Sequence, residues 1–432
     1  MEIIDIEAIE ILDSRGNPTI KATVILTDGS RGSFQVPSGA STGIHEAHEL
    51  RDHDEKQFHG KGVKKAIENI FKIRNQLYHI DFTQESFDKK LIDLDGTQNK
   101  EVLGANAILG LSCAFARASA KFYNLSLHEY LYRLANKISF KSKKKQKLPL
   151  VFPFANIING GLHAGNDLQI QEFMIVPLEG DFFLKTRIIS EIYQELKVLI
   201  EKEYGKESTS VGDEGGFAPN IKKPKEALEL LTKAVNSMGY ENKVGFAMDA
   251  AASDFYDSKT KRYEIEKDLY LNYQELTTYY NDLINNYPII SIEDPMAEDD
   301  FEGFIYFMEN VVSLKEINPF LNKKNILVVG DDLLVTNPKR ILEAQKEKLC
   351  NALLLKINQI GSLTEAIEAH KLAKSTNWHT MVSHRSGETN DNMIADLVVG
   401  TPAQQSKFGG PDRGERLAKY NRLLEIEDML YN

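Results

Sequence analysis

Past residue 240 the chain repeats one pattern: a short apolar run, closed by an ionisable residue, then an amphipathic segment. The runs are Val244–Asp249, Ile289–Asp294, Ile326–Asp331, Ala352–Lys356 and His379–Ser383, with Thr364–Ser375 among the amphipathic stretches between them. Apolar strands alternating with helices predict βα units and a parallel sheet buried on both faces. That many units in the last ~285 residues favours a closed barrel over an open doubly wound sheet. No Gly-x-Gly-x-x-Gly follows a strand candidate, which argues against a dinucleotide fold.

The run ends carry the chemistry. They read Asp249, then Glu293 with Asp294, Asp331 with Asp332, Lys356, and Ser383-His384-Arg385-Ser386. Barrel active sites are assembled at strand C-termini, from several strands at once. One charged strand end is ordinary, because strands finish at the surface. Five in succession, three acidic and then two basic, are not explained by solvation. Three converging carboxylates repel unless a cation sits among them. Oxygen ligands without Cys or His favour Mg²⁺ over Zn²⁺. Lys356 comes next on the rim; near a metal and other cations its ammonium form is disfavoured, so its pKa is expected to fall and make it a base.

Glycine-rich segments lie upstream. Pro37–Gly43 reads as a mobile lid, an anion nest or simply a turn. Asn156–Gly165 places His163 in a flexible loop, and Val211–Phe217 sets Glu214 among glycines, where a ligand can approach closely. Gln171-Glu172-Phe-Met-Ile-Val reads as an early barrel strand with a polar end.

The first forty residues read as a β-meander. Ile4, Ile6 and Ala8 alternate with acids, Ile20 to Leu26 alternate likewise, and Asp28-Gly29 turns into Arg31–Val36. Val63, Ala66, Ile67, Ile70 and Phe71 keep the spacing of one buried helical face, and Leu103–Tyr123 is Ala-rich and helical. The expected organisation is α/β: a small N-terminal α+β domain over 1–132, a Lys-rich linker over 133–147, and a βα (TIM-like) barrel over 148–432. The lysines of 137–147 keep no apolar period and read as a solvated linker.

The net charge of −11, from 52 basic and 63 acidic residues, lacks the basic footprint of a nucleic-acid binder. Cys113 and Cys350 sit in apolar surroundings and read as buried free thiols. The start lacks a basic n-region, and no apolar run is long enough to span a bilayer, so a cytoplasmic protein is expected.

Taken in order, the motifs resemble the enolase family, the glycolytic 2-phosphoglycerate dehydratases, over essentially the whole chain. They are Asp13-Ser-Arg-Gly-Asn-Pro-Thr, Ser38–Gly43, Gly104-Ala-Asn-Ala-Ile-Leu-Gly, Asn159-Gly-Gly, Gln171-Glu-Phe-Met, Gly212-Asp-Glu-Gly-Gly-Phe-Ala-Pro, Ser291-Ile-Glu-Asp-Pro, Gly330-Asp-Asp-Leu, Leu355-Lys-Ile-Asn-Gln-Ile-Gly and Ser383-His-Arg-Ser-Gly-Glu-Thr. The resemblance implies an enolase-type barrel, two Mg²⁺ per site and a homodimer or homo-octamer. It implies Asp249, Glu293 and Asp331 as ligands of one Mg²⁺, and Ser41 as the lid ligand of the second. It gives Lys356 as the base that removes the C2 proton, Glu214 as the acid that helps the C3 hydroxyl leave, and Glu172 as its acidic neighbour. It places His163, Gln171, Ser383, His384, Arg385, Ser386 and Lys407 against the substrate. Some family members also bind plasminogen at cell surfaces through lysines, which would make Lys141–Lys147 the candidate for a secondary surface role. The chain departs from the family at His53, where glycine is usual, and at Phe301 and Phe304, where tryptophan is common.

Overall fold

Three antiparallel strands open the chain: β1 (Ile3–Leu12), β2 (Pro18–Leu26) and β3 (Arg31–Gln35), paired in that order. The computed structural model describes residues 1–39, 43, 45–142, 149–314, 318, 320 and 324–431. The meander expected from the alternation is present, with one change. A register irregularity between Ile3 and Asp5 turns Ile3 inward, while Ile4 is exposed. A bulge shifts side chains to the other face because the strand period is two.

Helix Ala105–Phe122 packs across β2 and β3. In helix Lys64–Ile73, Ala66, Ile70 and Ile73 are buried with the preceding Val63, and Phe71 lies outside that stripe and is exposed. His53 adopts φ 56°. That left-handed backbone suits the glycine usual in the family, and a side chain there costs roughly 1 kcal/mol.

Eight further strands close into a barrel. In chain order they are β4 (Phe152–Asn159), β5 (Glu172–Pro177), β6 (Val244–Asp249) and, after a small antiparallel sheet of β7 (Tyr256–Asp257), β8 (Arg262–Glu266) and β9 (Leu269–Leu271), β10 (Ile289–Glu293), β11 (Leu327–Gly330), β12 (Ala352–Leu355), β13 (His379–Ser383) and β14 (Gln404–Lys407). Around the ring the order is β4-β5-β6-β10-β11-β12-β13-β14, so barrel neighbours follow the chain. Their side chains are almost all buried, as strands covered on both faces must be.

The parallel sheet expected from the runs past residue 240 is present, but the early strand β5 runs antiparallel to both β4 and β6. The connection from β4 to β5 holds one short turn and no crossover helix, the element that usually returns a chain to a parallel neighbour. The reversal has a functional consequence. Glu172, the first residue of β5, is level with Asp249, the last of β6. Both thiols are buried and free, and burial pushes each well above its ordinary pKa. No helix among the described residues is long and apolar enough to cross a membrane.

Candidate active site

Because ring order follows chain order, the charges line up around the rim as they do in the sequence. Glu172 starts β5, Asp249 and Glu293 end β6 and β10, Asp331 and Lys356 follow β11 and β12, Ser383 ends β13 and Lys407 ends β14. Fourteen of the residues singled out above line one cavity: His163, Gln171, Glu172, Glu214, Asp249, Asp294, Asp331, Asp332, Lys356, Ser383, His384, Arg385, Ser386 and Lys407. Glu293 joins them through Lys407. Ser41 and residues 143–147 lie outside the described residues.

The carboxylates divide into groups. On one side the Lys407 ammonium donates to Asp249 Oδ2 (2.9 Å) and to both oxygens of Glu293 (2.9 and 2.8 Å), and lies 3.2 Å from Glu172 Oε1. Burial opposes its charge, yet Asp249, Glu172 and Glu293 hold it well above the ordinary lysine range. Three carboxylates around one ammonium leave negative charge in excess, and burial with Asp249 pushes Glu293 well up. On the other side Asp331 turns away from that group. It pairs with the Lys356 ammonium and accepts from Gln359 Nε2 at 2.8 Å. One oxygen each of Asp294, Asp331 and Asp332 lie within 4.8 Å of one another.

The expected fall in the Lys356 pKa presupposes a metal beside it; from the chain's own charges alone the shift runs upward. Burial, Arg385 and Lys407 push it down, but the Asp331 carboxylate in contact outweighs them and holds it above the ordinary value. The rim order showed which charges were neighbours, not which one the lysine would meet.

Glu214 sits in the Val211–Phe217 loop, folded back by the Gly212 N–H bond to the Gly216 carbonyl (2.8 Å). Gly215 has φ +84°, and a Cβ there would stand 3.0 Å from the Asp412 carbonyl, so only glycine fits this turn. Glu214 accepts from Asn156 Nδ2 (3.2 Å) and lies 3.5 Å from both His163 Nδ1 and His384 Nε2. Glu172, Glu214 and His163 bring one donor or acceptor atom each within 4.8 Å. Burial, with Glu214 beside it, raises Glu172 well above the carboxylate range. Burial also opposes ionisation of Glu214, but its imidazole neighbours and Glu172 hold it well below. The two carboxyls therefore share a proton that favours Glu172. In the eight-membered ring β5 is diametrically opposite β12, so this pair faces Lys356 across the mouth.

Sequence reading missed the supports. Glu46 clamps Arg385 with two bonds (2.9 and 3.1 Å), Asp254 accepts from Gln171 Nε2 (2.9 Å), and Gln359 holds Asp331. Glu46 lies three residues past the lid segment and Gln359 falls inside the Leu355–Gly361 motif, so these two had a local signal. The Ser383 hydroxyl donates to the His384 carbonyl at 2.9 Å.

The donor set suits a hard divalent cation. Its acids offer only oxygen, they outnumber their cations around Lys407, and the buried Glu172 Oε2 has no hydrogen-bond partner. Fold and mouth together define a βα-barrel enzyme with a carboxyl pair and a lysine on opposite walls of an acid-lined cavity. Residues 3–131 match the family model of the enolase N-terminal domain, and residues 113–432 that of the enolase C-terminal TIM barrel domain. An enolase from Mastigamoeba balamuthi is 49% identical over 433 residues, covering 98% of this chain and 94% of that one. The chain belongs to the enolase family and is a lyase, a phosphopyruvate hydratase, of glycolysis.

Proposed function

We propose that the protein dehydrates 2-phosphoglycerate to phosphoenolpyruvate reversibly and with Mg²⁺, with Lys356 removing the C2 proton and the Glu172–Glu214 pair protonating the departing C3 hydroxyl. The observation that carries this reading is the placement of Lys356 and that pair on opposite walls of one cavity. Base and acid act at adjacent carbons, and groups facing each other across the substrate can do so without exchanging their proton directly.

Asp249, Glu293 and Asp331 would hold one Mg²⁺, and Ser41 with the substrate phosphate a second. Bound there, the ions supply positive charge against the charge that builds on the substrate carboxylate as its neighbouring proton leaves. Arg385, fixed by Glu46, and Ser386 present donors suited to a phosphate. Lys407 offers a permanent positive charge to the carboxylate. His163, Gln171, Ser383 and His384 complete the wall. The acid is a pair: Glu172 keeps the proton, and Glu214 relays it to the hydroxyl.

Absorbance-monitored conversion of 2-phosphoglycerate tests the reading. Activity is expected with Mg²⁺, silenced by a chelator and restored by Mg²⁺. A protein inactive on 2-phosphoglycerate with Mg²⁺ present overturns it. The reading carries with it a cytoplasmic homo-oligomer, which light scattering checks. The plasminogen reading rests on lysines largely outside the described residues, and no observation favours it.

A further inference from the structure

Arg416 is the largest fully buried side chain among the described residues. A buried cation is costly unless its donors are satisfied and its charge is met. Here the guanidinium spends four bonds on two active-site loops. Nη1 donates to His384 Nδ1 (2.6 Å) and to the Arg385 carbonyl (2.6 Å). Nη2 donates to the carbonyls of Asp213 (2.9 Å) and Ser386 (2.7 Å). Asp213 immediately precedes Glu214, so one side chain ties the acid loop to the His384–Ser386 loop.

The bond to His384 has a chemical consequence. A guanidinium only donates, so the ring nitrogen facing it is the unprotonated one. Burial, with Arg416 beside it, lowers His384 to about 3, so the ring is neutral and carries one proton. That proton is then on Nε2, which stands 3.5 Å from Glu214 Oε1. A third loop makes room for the arrangement. Gly409 has φ +84°, and a Cβ there would lie 2.4 Å from the Glu214 carbonyl and 3.1 Å from both Arg416 Cδ and His384 Cε1.

We propose that Arg416 is a positioning residue for the dehydration: it fixes His384 as the Nε2–H tautomer and so aims a hydrogen-bond donor at Glu214. The proposal rests on the acid role given to the Glu172–Glu214 pair above. Residues His384 and Arg416 are 32 apart in the chain, and only the fold brings them together.

The test reads the tautomer directly, by ¹⁵N NMR of histidine-labelled protein without substrate, with the His384 signal assigned from its loss in His384→Gln. In the natural chain Nδ1 is expected unprotonated and Nε2 protonated. Arg416→Lys keeps the charge but not the fork. It is expected to admit the other tautomer and to lower kcat by about 10- to 100-fold, with KM within about threefold. Guanidinium added to Arg416→Ala is expected to recover part of the lost rate. A protonated Nδ1 in the natural chain overturns the proposal. So does an Arg416→Lys enzyme that keeps full rate, or one that loses rate while His384 keeps its tautomer. Failure of the acid role itself shows separately, as Glu214→Gln dehydrating at the unaltered rate while the tautomer result stands.

Discussion

Lys407 is buried and Lys356 partly buried at the barrel mouth, two strands apart in the ring, and their surroundings differ. Lys407 reaches across the barrel into three carboxylates, on β5, β6 and β10. Lys356 touches one, Asp331, and has Arg385 and Lys407 pressing it towards the neutral form. Desolvation pushes both towards the neutral form, and the charges each one faces set them apart. The lysine with one opposing carboxylate and two cationic neighbours is the easier to deprotonate, and so the better base. The one held by three carboxylates is an anchor.

The sharpest way to break that contrast is to remove each lysine in turn. Lys356→Ala is expected to abolish exchange of the substrate C2 proton with solvent and to cut dehydration by about 10⁴-fold, with little change in stability because Gln359 still holds Asp331. Normal exchange in this variant would put the base elsewhere. Lys407→Ala strips the ammonium in contact with Glu172, Asp249 and Glu293. Breaking a buried ion pair this way costs about 3–5 kcal/mol, read as a fall in the urea midpoint without Mg²⁺. Equal losses of stability in the two variants would erase the distinction.

Much of this mouth was legible in the sequence, for a physical reason. In a βα barrel, neighbours in the chain become neighbours in the ring, so the order of charged run ends is the order around the rim. The fold class followed from the same alternation. What the sequence hid is directional or distant. An apolar run reads the same in either direction, so nothing in Glu172–Pro177 announced that β5 is reversed. The bulge that turns Ile4 outward leaves the alternation of β1 intact on paper. Rim order also cannot say which carboxylate a flexible lysine meets, so the contact of Lys356 with Asp331 was not legible. Gln359 lay inside a family motif without an assigned part, while Glu46 and Arg416 bond partners far along the chain, and only packing reveals those bonds.

The pair facing Lys356 offers a milder test. Glu214→Gln removes the relay but leaves the base, so dehydration should slow by about 10³-fold while C2 exchange persists. If both fall together, proton removal and hydroxyl loss are not divided between the two walls. Glu172→Gln should resemble it, since the proton favours Glu172. A fully active Glu172→Gln enzyme would leave Glu214 as the acid alone.

The smallest effect comes from a buried carboxylate whose bonded partners are all neutral. Asp88 accepts from Gln84 Nε2 (3.0 Å), the Thr364 N–H (3.0 Å) and the Thr364 hydroxyl (2.6 Å). Burial lifts it to about 6, although those hydrogen bonds pull the other way. Asp331, equally buried but paired with Lys356, is held below its ordinary value instead. The folded chain thus binds the Asp88 proton more tightly than the unfolded chain, whose carboxyl titrates near 3.9. Its contribution to stability is fully present below about pH 4 and is lost as the pH rises through about 6. Asp88→Asn cannot ionise and escapes that loss. Its stability relative to the natural chain should therefore rise between about pH 4 and pH 7, by on the order of 3 kcal/mol, in paired urea titrations. A difference that stays flat with pH would mean that burial without a cation does not raise this carboxyl, and the sorting of the mouth by opposing charge would lose its control.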